Sequence, residues 1–238
     1  MIIDILHLYP REMNLYGDQG NILTLRRRLE WRGYEVRINS YNIGDKLPQK
    51  IDLIFGGGGQ DSGQVKIEKD LQKIAPYLRT LIDKGTPALV ICGMYQLFGK
   101  SYIALGKQHL DGADILPLMT IAGPKRMIGN IVIKTKKFGQ VVGYENHSGI
   151  TQLDREAEEL GQVVKGHGNS GIDGTEGCIY KHCIGTYLHG PVLPKNPKIA
   201  DFLISKAIEN QTGKPVKLES LDDKLENQAH RVAISRPV

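Results

Sequence analysis

Short apolar runs that stop at glycine or polar turns set the strongest limit on what this chain can fold into. Residues 2–9 (IIDILHLY), 34–41 (YEVRINSY), 51–59 (IDLIFGGGG) and 88–92 (ALVIC) read as strands. Between them lie stretches with apolar residues at helical spacing. In NLYGDQGNILTLRRRLEWRG, Ile22, Leu25 and Leu29 share one face, Asp18 or Gly17 stands at the start and Gly33 at the end. VKIEKDLQKIAPYLRTLIDKG is a second helix, closed by Gly85, with Pro76 as a kink or break. GMYQLFG begins a third. The order βαββαβα, with glycines where strands end, predicts a doubly wound, mostly parallel sheet.

The second half is richer in short strands: IGNIVIKT, GQVVGYENHS, GQVVKGHG and GCIYKHCIGTYLHG, followed by the helix NPKIADFLISKAIENQTG. A chain of 238 residues with no linker or repeat suits one such domain. The expectation is a three-layer α/β fold over residues 1–213, a mixed, mostly parallel sheet flanked by helices, with a tail (214–238) that is either a docking helix or a loose terminus. No apolar run approaches a membrane span, and the first residues, with Asp4 and no basic segment, read as a strand and not a leader. The net charge of +5 includes the run LRRRLEWRG, read as a solvated helix face. Aromatic residues are few and not interleaved with basic ones, which disfavours nucleic acid and leaves an acidic substrate or partner. Cys92, Cys178 and Cys183 form no disulfide framework, so free thiols and a cytoplasmic setting are expected. Cys178, His182 and Cys183 lack a second ligand pair, so no metal is expected.

Three features carry chemistry. GGGGQDSG (56–63) lacks the GK[ST] of a phosphate-binding loop and a clean GxGxxG frame; it is either a tight turn or a set of backbone donors for an oxyanion. Cys92 ends a strand where a helix begins, and is either a buried small residue or a nucleophile on a sharp turn, near helix N–H groups that favour negative charge. His189, at a strand end in GTYLHGP, is either structural or the base that such a nucleophile needs.

GGGGQD, ICGMYQ, GYENHSG and GTYLHGP, in that order, resemble the class I (triad-type) glutamine amidotransferases, specifically the cobyric-acid-synthase-like (CobB/CobQ-like) branch with its flavodoxin-like core. NLYGDQGN and HGPVLPKNP narrow the resemblance to glutaminase subunits of lipid II isoglutaminyl synthases. The resemblance implies that Cys92 attacks the side-chain amide of L-glutamine and that His189 moves the proton. It implies an oxyanion held by Gly57, Gly58 and Gly93, and a glutamine α-carboxylate held by Arg126, with Gln96, Asn146, His147 and Gly149 lining the pocket. His147 and His167 are rival bases; His147 reads as a pocket residue and His167 as part of an exposed loop. The chain itself carries no cofactor; ATP and magnesium belong to a MurT-type ligase, its heterodimer partner, which amidates the D-glutamate α-carboxyl of the lipid II stem peptide. The alternatives are service to another amidating synthetase, of cobyrinate type, or a non-catalytic relative.

Two departures from the family pattern stand out. Met94 occupies a place usually held by a small residue, and either crowds the turn or fills a gap. His189-Gly190-Pro191 replaces H-x-E, so either the site is a dyad or its acid comes from elsewhere, such as the partner, which would make the isolated chain a weak enzyme.

Overall fold

The continuous apolar character of the first strands is that of parallel strands covered on both faces. In the computed structural model, which describes residues 1–106, 108–155 and 157–237 and only the backbone of Tyr16, they form the centre of the molecule. The chain runs β1 (Ile2–Leu8), a 3₁₀ turn (Leu15–Gly17), α1 (Gln19–Glu30), β2 (Glu35–Tyr41), β3 (Leu53–Gly56), α2 (Asp61–Asp83), β4 (Ala88–Ile91) and α3 (Gly93–Leu97). It continues with β5 (Ser101–Ile103), β6 (His109–Asp111), β7 (Leu118–Thr135), β8 (Gly139–Leu153), β9 (Gly161–Lys165), β10 (Thr175–Glu176), β11 (Cys178–Tyr180) and β12 (Cys183–Thr186). A second 3₁₀ turn (Leu193–Lys195), α4 (Pro197–Thr212) and α5 (Lys224–Ser235) complete it.

The strands divide into two sheets. The first has the order β11-β12-β4-β3-β1-β2 and is parallel except for β11. β3 and β4 are wholly buried in it. The remaining strands of the second half, read from sequence as part of one mixed sheet, form a sheet of their own, β10-β9-β7-β5-β6 with β8 on β7. That sheet is antiparallel except where β5 meets β7. Its frame is the β7–β8 hairpin, whose alternating burial is that of strands with one face covered. Register jumps from Ala122↔Gly149 to Met127↔His147, so residues 123–126 stand opposite Ser148 alone. Pro124 inside this segment cannot donate to the ladder, which suits a bulge and pushes Arg126 off the sheet.

Two helices differ from the sequence reading. α2 passes through Pro76 without a break. The proline removes one backbone bond, but Ile67, Leu71 and Ile74 before it and Leu78 and Ile82 after it bury a continuous stripe that holds the helix. The basic run of α1 is not one solvated face. Arg26 and Arg27 are exposed and pair with Glu30, whereas the side chains of Arg28 and Arg32 are 1% and 2% exposed. Arg28 binds Asp201 of α4 at 2.8 Å and Asp223 at 2.5 Å. The cause is position: residues 25, 28, 29 and 32 share the helix face that packs on α4. Asp223 precedes α5, so this arginine also fastens the tail, aided by His230 Nδ1 donating to Lys195 O at 2.7 Å.

Glu176 gives a stability test. It is fully buried in β10, and its Oε1 accepts from Thr186 Oγ1 and the Tyr187 N–H. Burial pushes its carboxyl up to about 7, against the opposing pull of those hydrogen bonds. The folded value lies above the unfolded one, so ionising Glu176 costs stability progressively as pH rises from about 4.5 to 7. Glu176→Gln is expected to raise unfolding free energy by roughly 2–3 kcal/mol at pH 8 and to change it little at pH 4.5. Denaturant titrations at the two pH values check this; a gain equal at both would refute it.

Candidate active site

The first sheet presents β4 and β12 side by side, and both end at the site. Cys92 follows β4 directly, with φ +49° and ψ −106°, a region that L-residues avoid. Its N–H donates to Thr186 O at 2.9 Å, and its carbonyl accepts from Gln96 N at 2.9 Å as α3 begins. The strained turn is therefore held by both neighbours. It is also why the side chain leaves the sheet toward a cavity of about 340 Å³, lined among others by Gln64, Cys92, Gln96, Arg126, Asn146 and His147. Met94 is fully buried and packs where Gly56 has no side chain: a Cβ on Gly56 would lie 2.5 Å from Met94 Cγ. The unusual methionine fills that gap and does not crowd the turn.

His189 lies three residues past β12, fully buried, its backbone exchanging hydrogen bonds with Tyr144 of β8. Burial disfavours its charge. Negative charge on Cys92 and hydrogen bonds to Asp18 and Cys92 outweigh that, and its pKa is raised. The imidazole is thus a strong acceptor for a thiol proton.

A buried carboxylate faces His189 from within the chain. Asp18, read from sequence as a helix start, makes no capping bond with its side chain. It is instead fully buried, with Oδ1 3.4 Å from His189 Nδ1 and Oδ2 accepting the Gly58 N–H at 2.6 Å. Asp18 is thus the carboxylate that stands beside His189 Nδ1 in this chain. The signal was the NLYGDQGN motif itself, whose Gly20 packs against Pro191: a Cβ there would lie 2.5 Å from Pro191 Cγ.

The glycine loop is packed on every side. A Cβ at Gly57 would lie 2.5 Å from Met13 O, one at Gly58 2.5 Å from His189 Cε1, and one at Gly93 3.1 Å from Gly59 N. Gly58 thus lies against Cys92, Gly57 against Asp18 and Gly93 against Gly59; the Gly58 N–H, expected from sequence as an oxyanion donor, is instead taken by Asp18. Gln96 is held at both ends of its amide: Oε1 accepts from Gln64 Nε2 at 2.9 Å and Nε2 donates to Tyr187 Oη at 3.2 Å. Gly149 leaves room for that pair, since a Cβ there would reach Gln96 Nε2 and come within 2.5 Å of Tyr187 Oη. Across the cavity, Arg126 Nε donates to Asn146 Oδ1 at 2.6 Å from the bulge of β7. His147 is buried and stacks flat on Tyr187, with 3.5 Å between ring centroids. His167 is partly exposed and bound to Glu145 Oε1 at 2.9 Å. Gln64 lies outside every motif and reaches the site through tertiary packing; Glu145 and Tyr187 lie within GYENHSG and GTYLHGP, but what they bind is set by tertiary packing that those motifs do not show.

A cysteine on a strained turn, a buried imidazole and carboxylate, and an arginine across a polar cavity are the groups that cysteine-dependent amide hydrolysis uses. Residues 4–197 match the CobB/CobQ-like glutamine amidotransferase domain, and the chain belongs to that family. It is 41% identical to the lipid II isoglutaminyl synthase (glutamine-hydrolyzing) subunit GatD of Staphylococcus aureus, over 98% of this chain and 96% of that protein. It is 34% identical to the subunit of the same name from Streptococcus pneumoniae, over 95% of this chain and 88% of that protein. Among solved structures, PurLQS from Thermotoga maritima shares the fold, with a TM-score of 0.60 at 14% identity, over 86% of this chain and 98% of the matched one.

The geometry predicts selective alkylation. Cys178 and Cys183 are buried, and burial pushes both thiols up, that of Cys178 to about 12. Iodoacetamide at pH 7 is expected to label Cys92 alone in the native chain, and His189→Ala or Asp18→Asn to slow that labelling at least about tenfold. Peptide mapping with timed quenching reads both; unchanged labelling in Asp18→Asn would remove the carboxylate from the site.

Proposed function

We propose that the chain is a glutaminase subunit that releases ammonia from L-glutamine for a partner ligase. The observation that supports it most is the convergence of Cys92, His189 and Asp18 on a cavity that also holds Arg126. Cys92 Sγ attacks the amide carbon, and His189 takes the thiol proton and returns it to the leaving nitrogen as ammonia departs. Water then attacks the thioester with His189 as base, giving glutamate and the free thiol. Asp18 holds the imidazole through Nδ1. The negative oxygen of each tetrahedral intermediate is met by the backbone N–H groups of Gly93 and of Gly57 in the glycine loop, the Gly58 N–H being already given to Asp18. Arg126, steadied by Asn146, receives the glutamine α-carboxylate.

The names of the two GatD relatives support a place in lipid II amidation. On this reading a MurT-type ligase forms a heterodimer with the chain in the cytoplasm. That ligase spends ATP on the D-glutamate α-carboxyl of the stem peptide and consumes the ammonia. Since Asp18 lies within the chain, hydrolysis does not wait for a partner's carboxylate.

Ammonia release from glutamine is the test, measured for the chain alone and with its ligase. Both settings are expected to show activity that Cys92→Ser abolishes; a folded chain inactive in both would overturn the reading. Arg126→Ala is expected to raise KM for glutamine about 10- to 100-fold with kcat nearly unchanged, in keeping with the loss of about 1.5–3 kcal/mol for a charged hydrogen bond.

A further inference from the structure

Glu145 is a fully buried carboxylate that the reaction as written does not use. It lies on the inward face of β8 with His147, opposite Gly129 and Met127 of β7. Its Oε1 accepts from His167 N at 2.7 Å and from His167 Nδ1 at 2.9 Å; its Oε2 accepts from Gly168 N at 2.9 Å. Burial opposes its charge, but His147, the Gly168 N–H and His167 outweigh that and hold its pKa below the usual range. The same Oε2 lies 3.9 Å from His147 Nε2.

The ring of His147 has little freedom. Tyr187 fixes its plane, at 3.5 Å and 4°. Nδ1 lies 3.0 Å from Gly149 O, and because a carbonyl only accepts, Nδ1 carries the proton. In the neutral ring Nε2 then turns a lone pair toward the Glu145 carboxylate, while a second proton on Nε2 would be attracted to it. The groups facing His147 from the surrounding elements are Glu145 on its own strand, Tyr187 and His189 after β12, and Arg126, Asn146 and Cys92 around the shared cavity. Burial and the positive charge of His189 oppose the second proton; Glu145 favours it.

Resting on the glutaminase reading, we propose that Glu145 is a positioning residue: by fixing the tautomer and proton affinity of His147 on the cavity wall, it sets the acid limit of the Cys92–His189 pair. When His147 takes up a proton, a second cation stands beside the His189 imidazolium. His189 then returns its proton to Cys92, and the nucleophile is lost. Removing the Glu145 charge keeps His147 neutral to lower pH.

The experiment is the pH profile of kcat/KM for glutamine in the wild-type chain, Glu145→Gln, His147→Asn and the double variant. The acid limb is expected to move down by about one unit in Glu145→Gln. It should move likewise in His147→Asn, with no further shift in the double variant. A rate lowered equally at every pH, or a Glu145→Gln shift that persists in the His147→Asn background, would overturn the proposal. Imidazole ¹⁵N NMR of the wild-type chain gives a second reading that needs neither a variant that folds nor turnover. It should show His147 neutral at pH 7 with its proton on Nδ1, and an Nε2–H tautomer or an imidazolium at that pH would overturn the proposal. A chain without glutaminase activity but with the expected His147 spectrum would fail the functional reading and leave the geometry of the pair standing.

Discussion

The site depends on one buried carboxylate. Asp18 joins the segment after β1, the glycine loop after β3 and the histidine after β12, which the parallel order β12-β4-β3-β1 sets along one edge of the first sheet. With no exposure to water, its charge is sustained by a 2.6 Å hydrogen bond from the Gly58 N–H and by the imidazole of His189. Removing either partner leaves a buried anion short of a donor, which costs more than the bond itself contributes. The neighbouring contacts reinforce the same junction: Leu193 N donates to Asn21 Oδ1 at 2.9 Å, and Leu15 N donates to Gly58 O at 3.0 Å. The arrangement explains why NLYGDQGN and HGPVLPKNP, far apart in sequence, form a single piece of structure.

Much of this was readable from residue order. The first four strands, α1, the glycine loop and the elbow at Cys92 follow from apolar runs and glycine positions, because each is specified by its own local pattern. The parts that were not legible share a physical reason. Asp18 looks like a helix cap, since aspartate before a helical pattern is the ordinary cap; only the distant His189 and Gly58 reveal that its oxygens are committed elsewhere. Arg28 and Arg32 belong to a basic run that resembles a solvated face, and only Asp201 and Asp223, nearly two hundred residues later, draw them inside. The separation of the strands into two sheets was hidden for a similar reason: strand periodicity reports which face is buried and says nothing about which neighbour a strand pairs with.

The second sheet is more than a cover. Its β7–β8 hairpin supplies Arg126 from the bulge, Asn146 and His147 from β8, and the backbone of Tyr144 that pairs with His189. Cys92 therefore comes from the parallel sheet, and Arg126 from the antiparallel one. The cavity lies where they meet, so its width is set by sheet-to-sheet packing and not by a single loop. Tyr187 is the hinge of that contact. Its hydroxyl meets Gln96 on one side and Thr151, which in turn bonds Thr120, on the other, while its ring carries His147.

The strained backbone at Cys92 gains its meaning from this setting. A residue held at positive φ costs on the order of 1–3 kcal/mol and persists only where its surroundings over-determine it. Here β12 fixes the residue from one side, α3 from the other, and Met94 locks the turn by packing over Gly56. With the first residues of the turn wedged against a fully buried core, relaxing Cys92 would mean unpairing β4 from β12, the strand that leads into His189. Cys92 and His189 thus hang from adjacent strands of one parallel ladder, and their separation is as rigid as that ladder. The opposite wall of the cavity is the β7–β8 hairpin, where Arg126 stands on a bulge, so the two walls are built by different sheets and no single ladder fixes both.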